Sequence, residues 1–179
     1  MTIEYDEKAI ADALNAMAKT IAASNNGKPI ALVGIHSGGV PLAHRIAESM
    51  RAEGAKDIVV GGLDIGLYRD DTNLQARIPR LVGSEIPYDV SERKTILIDD
   101  VLFTGRTIRA ALNQLNDYGR PASIELAVLV DRGHREVPIS ARYVGLTIET
   151  EKSQHVEVLL TEIDGLDRIS VKTSTQAKG

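Results

Sequence analysis

The sequence predicts a single α/β domain built on a central, mainly parallel sheet. Short, wholly apolar runs alternate along the chain with segments whose apolar residues recur at helical spacing. The length of 179 residues is enough for one core of useful size, and the hydrophobic fraction of 43% is that of an ordinary globular protein. In such folds ligands bind at the carboxyl ends of the strands, which is where we look for functional residues.

The first half of the chain reads as helix, strand, helix, strand. A helix is predicted over 6–23, because apolar residues including Ile10, Leu14 and Met17 fall on one face and a polar turn follows. The apolar run 30–35 is a buried strand. Pro41 suits the first turn of a second helix, which runs to Met50. A glycine-containing strand is predicted over 57–68.

The polar stretch 69–88 has no sustained period and is long for a simple connection, so it predicts a functional flap, centred on 72–86. A strand ending in two acids follows at 95–100, and then a helix that stops at Gly119. Further strands are predicted at 124–130, 142–149, 155–163 and 168–171. The domain is therefore expected to span 1–171, with a disordered tail at 172–179.

Composition excludes several classes of function. The absence of cysteine rules out disulfides and thiolate chemistry, and the four histidines show no ligand spacing, so no protein-built metal site is predicted. No apolar run approaches a membrane span and the first residues are polar and acidic, which predicts a cytoplasmic protein with no membrane contact. A net charge of −4 gives no general attraction to nucleic acid.

The segment 95–107, TILIDDVLFTGRT, carries the most chemical information. An apolar strand delivers Asp99 and Asp100 to its carboxyl end, where carboxylates can accept hydrogen bonds from a vicinal diol. A turn of small residues then opens a helix, so that backbone amides from Thr104 to Thr107 are expected to favour a phosphate. Gly105 leaves room for that phosphate. Alone, the Asp-Asp pair would be better explained as a cap of the next helix, and the Thr-Gly pair as a common turn.

Taken whole, this segment resembles the phosphoribosyl pyrophosphate (PRPP) binding signature of type I phosphoribosyltransferases. Three further stretches resemble the PyrR family of bifunctional pyrimidine operon attenuation proteins and uracil phosphoribosyltransferases: LVGIHSGG (32–39), LDIGLYRDD (63–71) and LAVLVDRGHREVPI (126–139). The last string separates this family from purine and orotate relatives. The resemblance covers nearly the full chain and implies the type I fold, with a flexible hood over the sheet.

The resemblance also implies roles for individual residues. Asp99, Asp100 and Arg132 are the expected catalytic residues. Ser37, Gly38 and Gly39 are expected to form the pyrophosphate loop, Arg69 and Arg80 to clamp pyrophosphate from the flap, and Val130 and Asp131 to lie at the base. The expected ligands of the PRPP phosphate are Val101, Leu102, Phe103, Thr104, Gly105, Arg106 and Thr107. Uracil and PRPP would give UMP, with Mg²⁺ arriving with PRPP, in a homodimer or dimer of dimers.

Two readings compete, an enzyme and an RNA-binding regulator of pyrimidine messenger RNA. His134 and Arg135 match the RNA face of the family. Other positions of that face depart from it: Asn15-Ala16 and Lys19 stand where the regulators carry a Thr-Arg pair and a histidine. Fewer cationic groups mean fewer phosphate contacts, which favours the enzyme. A transferase for another base is a third reading, because the PRPP motif is indifferent to the base.

Overall fold

The computed structural model describes residues 3–66 and 83–173. Its elements are β1 (Glu4–Tyr5), α1 (Glu7–Asn25), β2 (Ile30–Ile35), α2 (Gly39–Ala52), β3 (Ile58–Leu63), β4 (Lys94–Leu102), α3 (Arg106–Leu115), β5 (Ser123–Asp131), β6 (Tyr143–Thr147), β7 (Gln154–Leu159), α4 (Thr161–Asp164) and β8 (Arg168–Thr173). Five strands form a parallel sheet in the order β3-β2-β4-β5-β6. The predicted fold class is confirmed.

Helices cover both faces of this sheet. Alternate strand residues such as Leu32 and Ile96 face α1 and α2 in one core, while their neighbours Val33 and Leu97 face α3 in the other. Because β2 and the middle of β4 are buried on both faces, they read in the sequence as the apolar runs 30–35 and 96–98. The parallel strands bring their carboxyl ends to one edge.

A smaller antiparallel sheet, β1-β8-β7, stands apart from the parallel sheet. We call this sheet, together with α4 and the residues 148–153 that lead into it, the hood. Val156, Leu160 and Ile169 pack into the same core as α1 and α2. Arg45 of α2 also anchors the hood, through ion pairs to Glu162 (2.6 Å) and Asp167 (2.5 Å).

Most predicted elements are present, with shifted ends. Asp6 caps α1 through a hydrogen bond from the Ala9 amide (2.9 Å), as the predicted start at residue 6 requires. The strand predicted over 57–68 ends at Leu63. The prediction for 155–163 was wrong in part, since the strand ends at Leu159 and the short helix α4 follows.

The ends of the chain also differ from expectation. The two-residue strand β1 was not predicted, because so short a segment carries no period. β8 continues to Thr173, so the first two residues of the predicted tail are paired with β7; the rest of that tail lies outside the described residues. Within 3–66 and 83–173, none of the helices combines the length and the apolarity that a membrane crossing demands.

Candidate active site

A cavity of about 660 Å³ lies at the carboxyl edge of the parallel sheet. One side, which we call the loop wall, consists of His36–Gly38 after β2 and of Asp99–Thr107, which runs from the end of β4 into the start of α3. The other side, the hood wall, consists of Arg132 at the end of β5 and residues 152–158 of the hood. The sheet topology therefore brings together groups far apart in sequence, as expected for this fold class.

Asp99 and Asp100 lie near the carboxyl end of β4 on the loop wall, although β4 continues to Leu102 and does not end at the acids as predicted. Asp99 is 6% exposed, and one of its carboxylate oxygens accepts the Asp100 amide (2.9 Å). Asp100 in turn accepts the Val101 amide (2.8 Å). Each carboxylate is thus oriented by the backbone that follows it, while both line the cavity. Such oriented carboxylates can accept hydrogen bonds from hydroxyl groups of a ligand.

The turn between β4 and α3 places backbone groups at the start of a helix. Gly105 is the N-cap of α3 with φ +89°, a left-handed conformation that suits glycine, and a Cβ there would lie 2.7 Å from Val137. Thr104, Gly105 and Thr107 line the cavity. One expectation needs correction: the Arg106 amide is not unpaired, because it donates to the Thr104 hydroxyl (3.3 Å).

The predicted pyrophosphate loop also reaches the cavity. Ser37 and Gly38 line it, and Gly39 is buried at the first turn of α2. A Cβ at Gly38 would lie only 2.6 Å from a carboxylate oxygen of Asp100, so the backbone of this loop and that carboxylate lie in close contact. His36 lines the cavity beside them.

Arg132 projects into the hood wall. Its guanidinium lies 4.1 Å from the centre of the Phe103 ring and donates to the Glu151 carbonyl (3.0 Å). The side chain is 5% exposed, its burial lowers the pKa of the guanidinium, and its buried Nε has no hydrogen-bond partner in the described part of the chain. An unpartnered buried donor costs about 1–3 kcal/mol, which an acceptor on a ligand would recover.

Val130 and Asp131, which were expected near the base, directly precede Arg132 in the chain. Val130 is fully buried in β5. The Asp131 carboxylate accepts the Gly133 amide (2.9 Å) and pairs with Arg135 (2.5 Å). Burial alone would raise the pKa of Asp131, but these hydrogen bonds more than offset it and lower that pKa below its ordinary value. Of residues 130–132, Arg132 is the one on the cavity wall.

Three further candidates have different outcomes. Arg69 and Arg80 lie outside the described residues, so their role stays a prediction. The Arg106 side chain is partly exposed and pairs with Glu136 (2.8 Å).

The predicted RNA-face residues are turned inward. His134 shares a hydrogen bond with the Thr150 carbonyl (2.7 Å) and meets the Phe103 ring edge-on at 5.9 Å. The Arg135 side chain is 24% exposed and bonds to neighbouring carbonyls as well as to Asp131. On α1, Asn15 bonds Ser49 (3.0 Å) and Lys19 lies 3.6 Å from Glu53, both contacts to α2.

Sequence reasoning missed most of the hood wall. Apart from the buried Val156, residues 152–158 are polar or partly exposed, and they carry no motif, so nothing local marks them as cavity residues. His36 could have been found from the sequence, since it stands directly before the glycine-rich turn. In the structure its ring lies against β3, where a Cβ at Gly62 would be 2.7 Å from it.

Comparisons with known proteins agree with this geometry. The model of the phosphoribosyl transferase domain matches residues 3–162. The bifunctional protein PyrR of Bacillus cereus (strain AH820) and that of Bacillus thuringiensis subsp. konkukian (strain 97-27) are each 49% identical over 172 residues, covering 94% of this chain and 96% of the relative.

Solved structures show the same fold in more distant proteins. A ternary substrates complex of the hypoxanthine phosphoribosyltransferase of Trypanosoma cruzi matches with a TM-score of 0.75 at 19% identity, covering 97% of this chain and 95% of that one. The hypoxanthine phosphoribosyltransferase of Staphylococcus aureus matches with a TM-score of 0.69 at 19% identity over 94% and 88%.

Proposed function

The chain belongs to the phosphoribosyl transferase domain family and, within it, to the PyrR proteins, and we propose that it transfers the phosphoribosyl group of PRPP to uracil. The products are UMP and pyrophosphate. The observation that carries this proposal is the loop wall, where one continuous stretch, Asp99–Thr107, places two oriented carboxylates and a helix start on the same cavity.

The loop wall suits the sugar phosphate. The 5-phosphate would lie at the start of α3, where the helix dipole and the hydroxyls of Thr104 and Thr107 favour an anion. Asp99 and Asp100 would accept hydrogen bonds from the ribose diol, and their negative charge would stabilise a ribose that becomes cationic. Ser37 and Gly38 lie close enough to Asp100 for the pyrophosphate to bridge the two loops.

Because the loop wall is assigned to PRPP, the uracil base would bind against the hood wall. A bond forms between N1 of uracil and the anomeric carbon as the bond from that carbon to pyrophosphate breaks, and the N1 proton passes to the departing pyrophosphate or to water. Arg132, with its unmet Nε donor, suits a carbonyl oxygen of the base or an oxygen of PRPP. The protein's main contribution is to orient the two substrates in a cavity that shields the reacting carbon from water.

The donor set fits a magnesium ion that enters with PRPP. Among the described residues, no cluster of three or more acidic or histidine side chains is placed to hold a metal; Asp99 and Asp100 are the carboxylates of the loop wall that could meet the ion or its waters. Mg²⁺ commonly keeps waters and substrate oxygens in its shell. When bound, the ion would neutralise charge on pyrophosphate as it leaves.

Transfer of labelled uracil from PRPP in the presence of magnesium tests this proposal. We expect UMP to form with uracil and not with hypoxanthine or guanine in the same assay. Turnover with a purine base alone would contradict the choice of uracil, and absence of turnover with every base would overturn the enzyme reading.

RNA-dependent regulation of pyrimidine genes is the alternative function, and it comes from the family. The inward contacts of His134 and Arg135 support placing it second, whereas Asn15 and Lys19 remain exposed on α1. A filter-binding titration of the organism's own pyrimidine leader RNA discriminates the two. Tight, UMP-sensitive binding with little turnover would reverse the ranking.

We also propose that the protein forms a homodimer or a dimer of dimers and that it is cytoplasmic, both on the resemblance alone. Sedimentation would test the assembly.

A further inference from the structure

Arg135 holds together the two segments between which the cavity opens. Its guanidinium donates to the Phe103 carbonyl (2.8 Å) and the Gly133 carbonyl (3.1 Å), and its Nε donates to the Ile139 carbonyl (3.0 Å). A further nitrogen pairs with the Asp131 carboxylate. Phe103 belongs to the loop after β4, and the other acceptors belong to the end of β5 (Asp131) and the segment after it. One side chain thus spans both segments.

Backbone contacts from the segment after β5 continue this pattern on either side of Phe103. The Arg132 amide donates to the Leu102 carbonyl (3.1 Å), and the Glu136 amide donates to the Thr104 carbonyl (2.9 Å). Carbonyls of three successive loop residues therefore point toward the segment 132–137. The outer two are held by backbone amides, and the middle one is held by the Arg135 side chain.

This arrangement decides where the loop amides point. In a planar trans peptide the carbonyl of one residue and the amide of the next point in opposite directions, and the peptide bonds of this loop are trans. The amides of Phe103, Thr104 and Gly105 must then point away from 132–137. That direction is toward the cavity, which all three residues line.

We propose that Arg135 is a positioning residue of the transferase, which fixes the Phe103–Thr104 peptide so that the Thr104 amide faces the phosphate of PRPP. The inference rests on the proposed function. It gives Arg135, which by sequence matches the RNA face of the family, a role in binding PRPP. Lysine cannot replace arginine here, because one ammonium on a flexible stem cannot match the rigid fork of donors that reaches Phe103 and Asp131 together.

The test uses Arg135→Gln and Arg135→Lys in the full chain, with Arg120→Gln as the control. Arg120 is exposed at the amino-terminal end of β5, the opposite end from the cavity, and its replacement removes the same charge. We expect both Arg135 variants to raise KM for PRPP, and the dissociation constant of PRPP in calorimetry, tenfold or more, with a smaller change in kcat. Arg120→Gln should change neither constant.

A merely structural role is distinguished by which quantity changes. If Arg135 only stabilised the fold, its variants would lower Tm and the active fraction, hence the apparent kcat, and leave KM for PRPP at the wild-type value. That result would overturn the inference. So would a variant that loses RNA binding while PRPP binding stays intact. Failure of wild-type protein to bind PRPP would instead count against the proposed function itself.

Discussion

The loop wall and the hood wall face the same cavity but are built in different ways. The loop wall comes from Asp99–Thr107 and His36–Gly38, which are ends of adjacent parallel strands and the turns after them. The hood wall comes from Arg132, which follows β5 of the parallel sheet, and from residues 152–158, most of which lie in β7 of the separate antiparallel sheet. One wall is set by local backbone geometry and the other by contacts over long sequence distances.

The two walls therefore differ in how strongly their sequences indicate function. The loop wall needs particular residues at fixed spacing, because carboxylates and a helix start must meet one sugar phosphate. The hood wall is placed by the packing of the hood against the rest of the domain, and its residues show no comparable fixed spacing. The loop-wall sequence therefore predicts the class of reaction, while under the proposed function the choice of base is assigned to the hood wall. Variants on each side should have effects of different size and kind.

The largest effect is expected from Asp99→Asn combined with Asp100→Asn. Each substitution keeps the shape of the side chain but removes the charge from hydrogen bonds worth about 1.5–3 kcal/mol, so PRPP turnover should fall about 10³-fold. Steady-state kinetics measures the loss, and a melting curve checks that the fold persists. Asp117→Asn, at an exposed position, is the matched control. Unchanged kinetics in the double variant would remove the assignment of these residues.

A smaller effect is expected from Gly38→Ala. The new Cβ would lie 2.6 Å from an Asp100 oxygen, so one of the two must move, and we expect about a tenfold fall in kcat/KM for PRPP from a loss of roughly 1.4 kcal/mol. A double-mutant cycle with Asp100→Asn shows whether the effect passes through Asp100. If the two effects simply add, the contact between Gly38 and Asp100 has no functional consequence.

The hood attachment should show the smallest effect on turnover, together with an effect on stability that depends on pH. Hydrogen bonds from Arg45 lower the pKa of Asp167 to about 2. A carboxylate whose pKa is lowered on folding stabilises the protein above its unfolded pKa, and this stabilisation is lost as pH falls through the folded pKa. Asp167→Asn should therefore cost about 2 kcal/mol at neutral pH and progressively less from about pH 4 to pH 2.

Unfolding by denaturant across that pH range measures this difference. Lys8→Gln, which removes an exposed ion pair with Asp12 within α1, is a control whose cost should stay small at every pH. A cost for Asp167→Asn that did not decline on acidification would show that the pair with Arg45 is not what holds the hood.

The sequence predicted the fold class and the loop wall because both depend on local patterns. Buried parallel strands such as 30–35 appear as apolar runs, and the helix start after Asp100 is marked by Thr104 and Gly105. The change from strand to helix after Leu159 was not predicted, since Leu160 and the residues of α4 continue without a break signal. The inward turn of Arg135 could not be foreseen, because it depends on carbonyls about thirty residues earlier in the chain.

A grid of initial rates over PRPP and uracil concentrations, with wild-type protein and the variants Gly38→Ala and Asp167→Asn, tests the division between the two walls most directly. We predict that wild type makes UMP, that Gly38→Ala mainly raises KM for PRPP, and that Asp167→Asn mainly raises KM for uracil. Equal shifts of both constants in both variants, or no transfer to uracil by the wild type, would contradict this account.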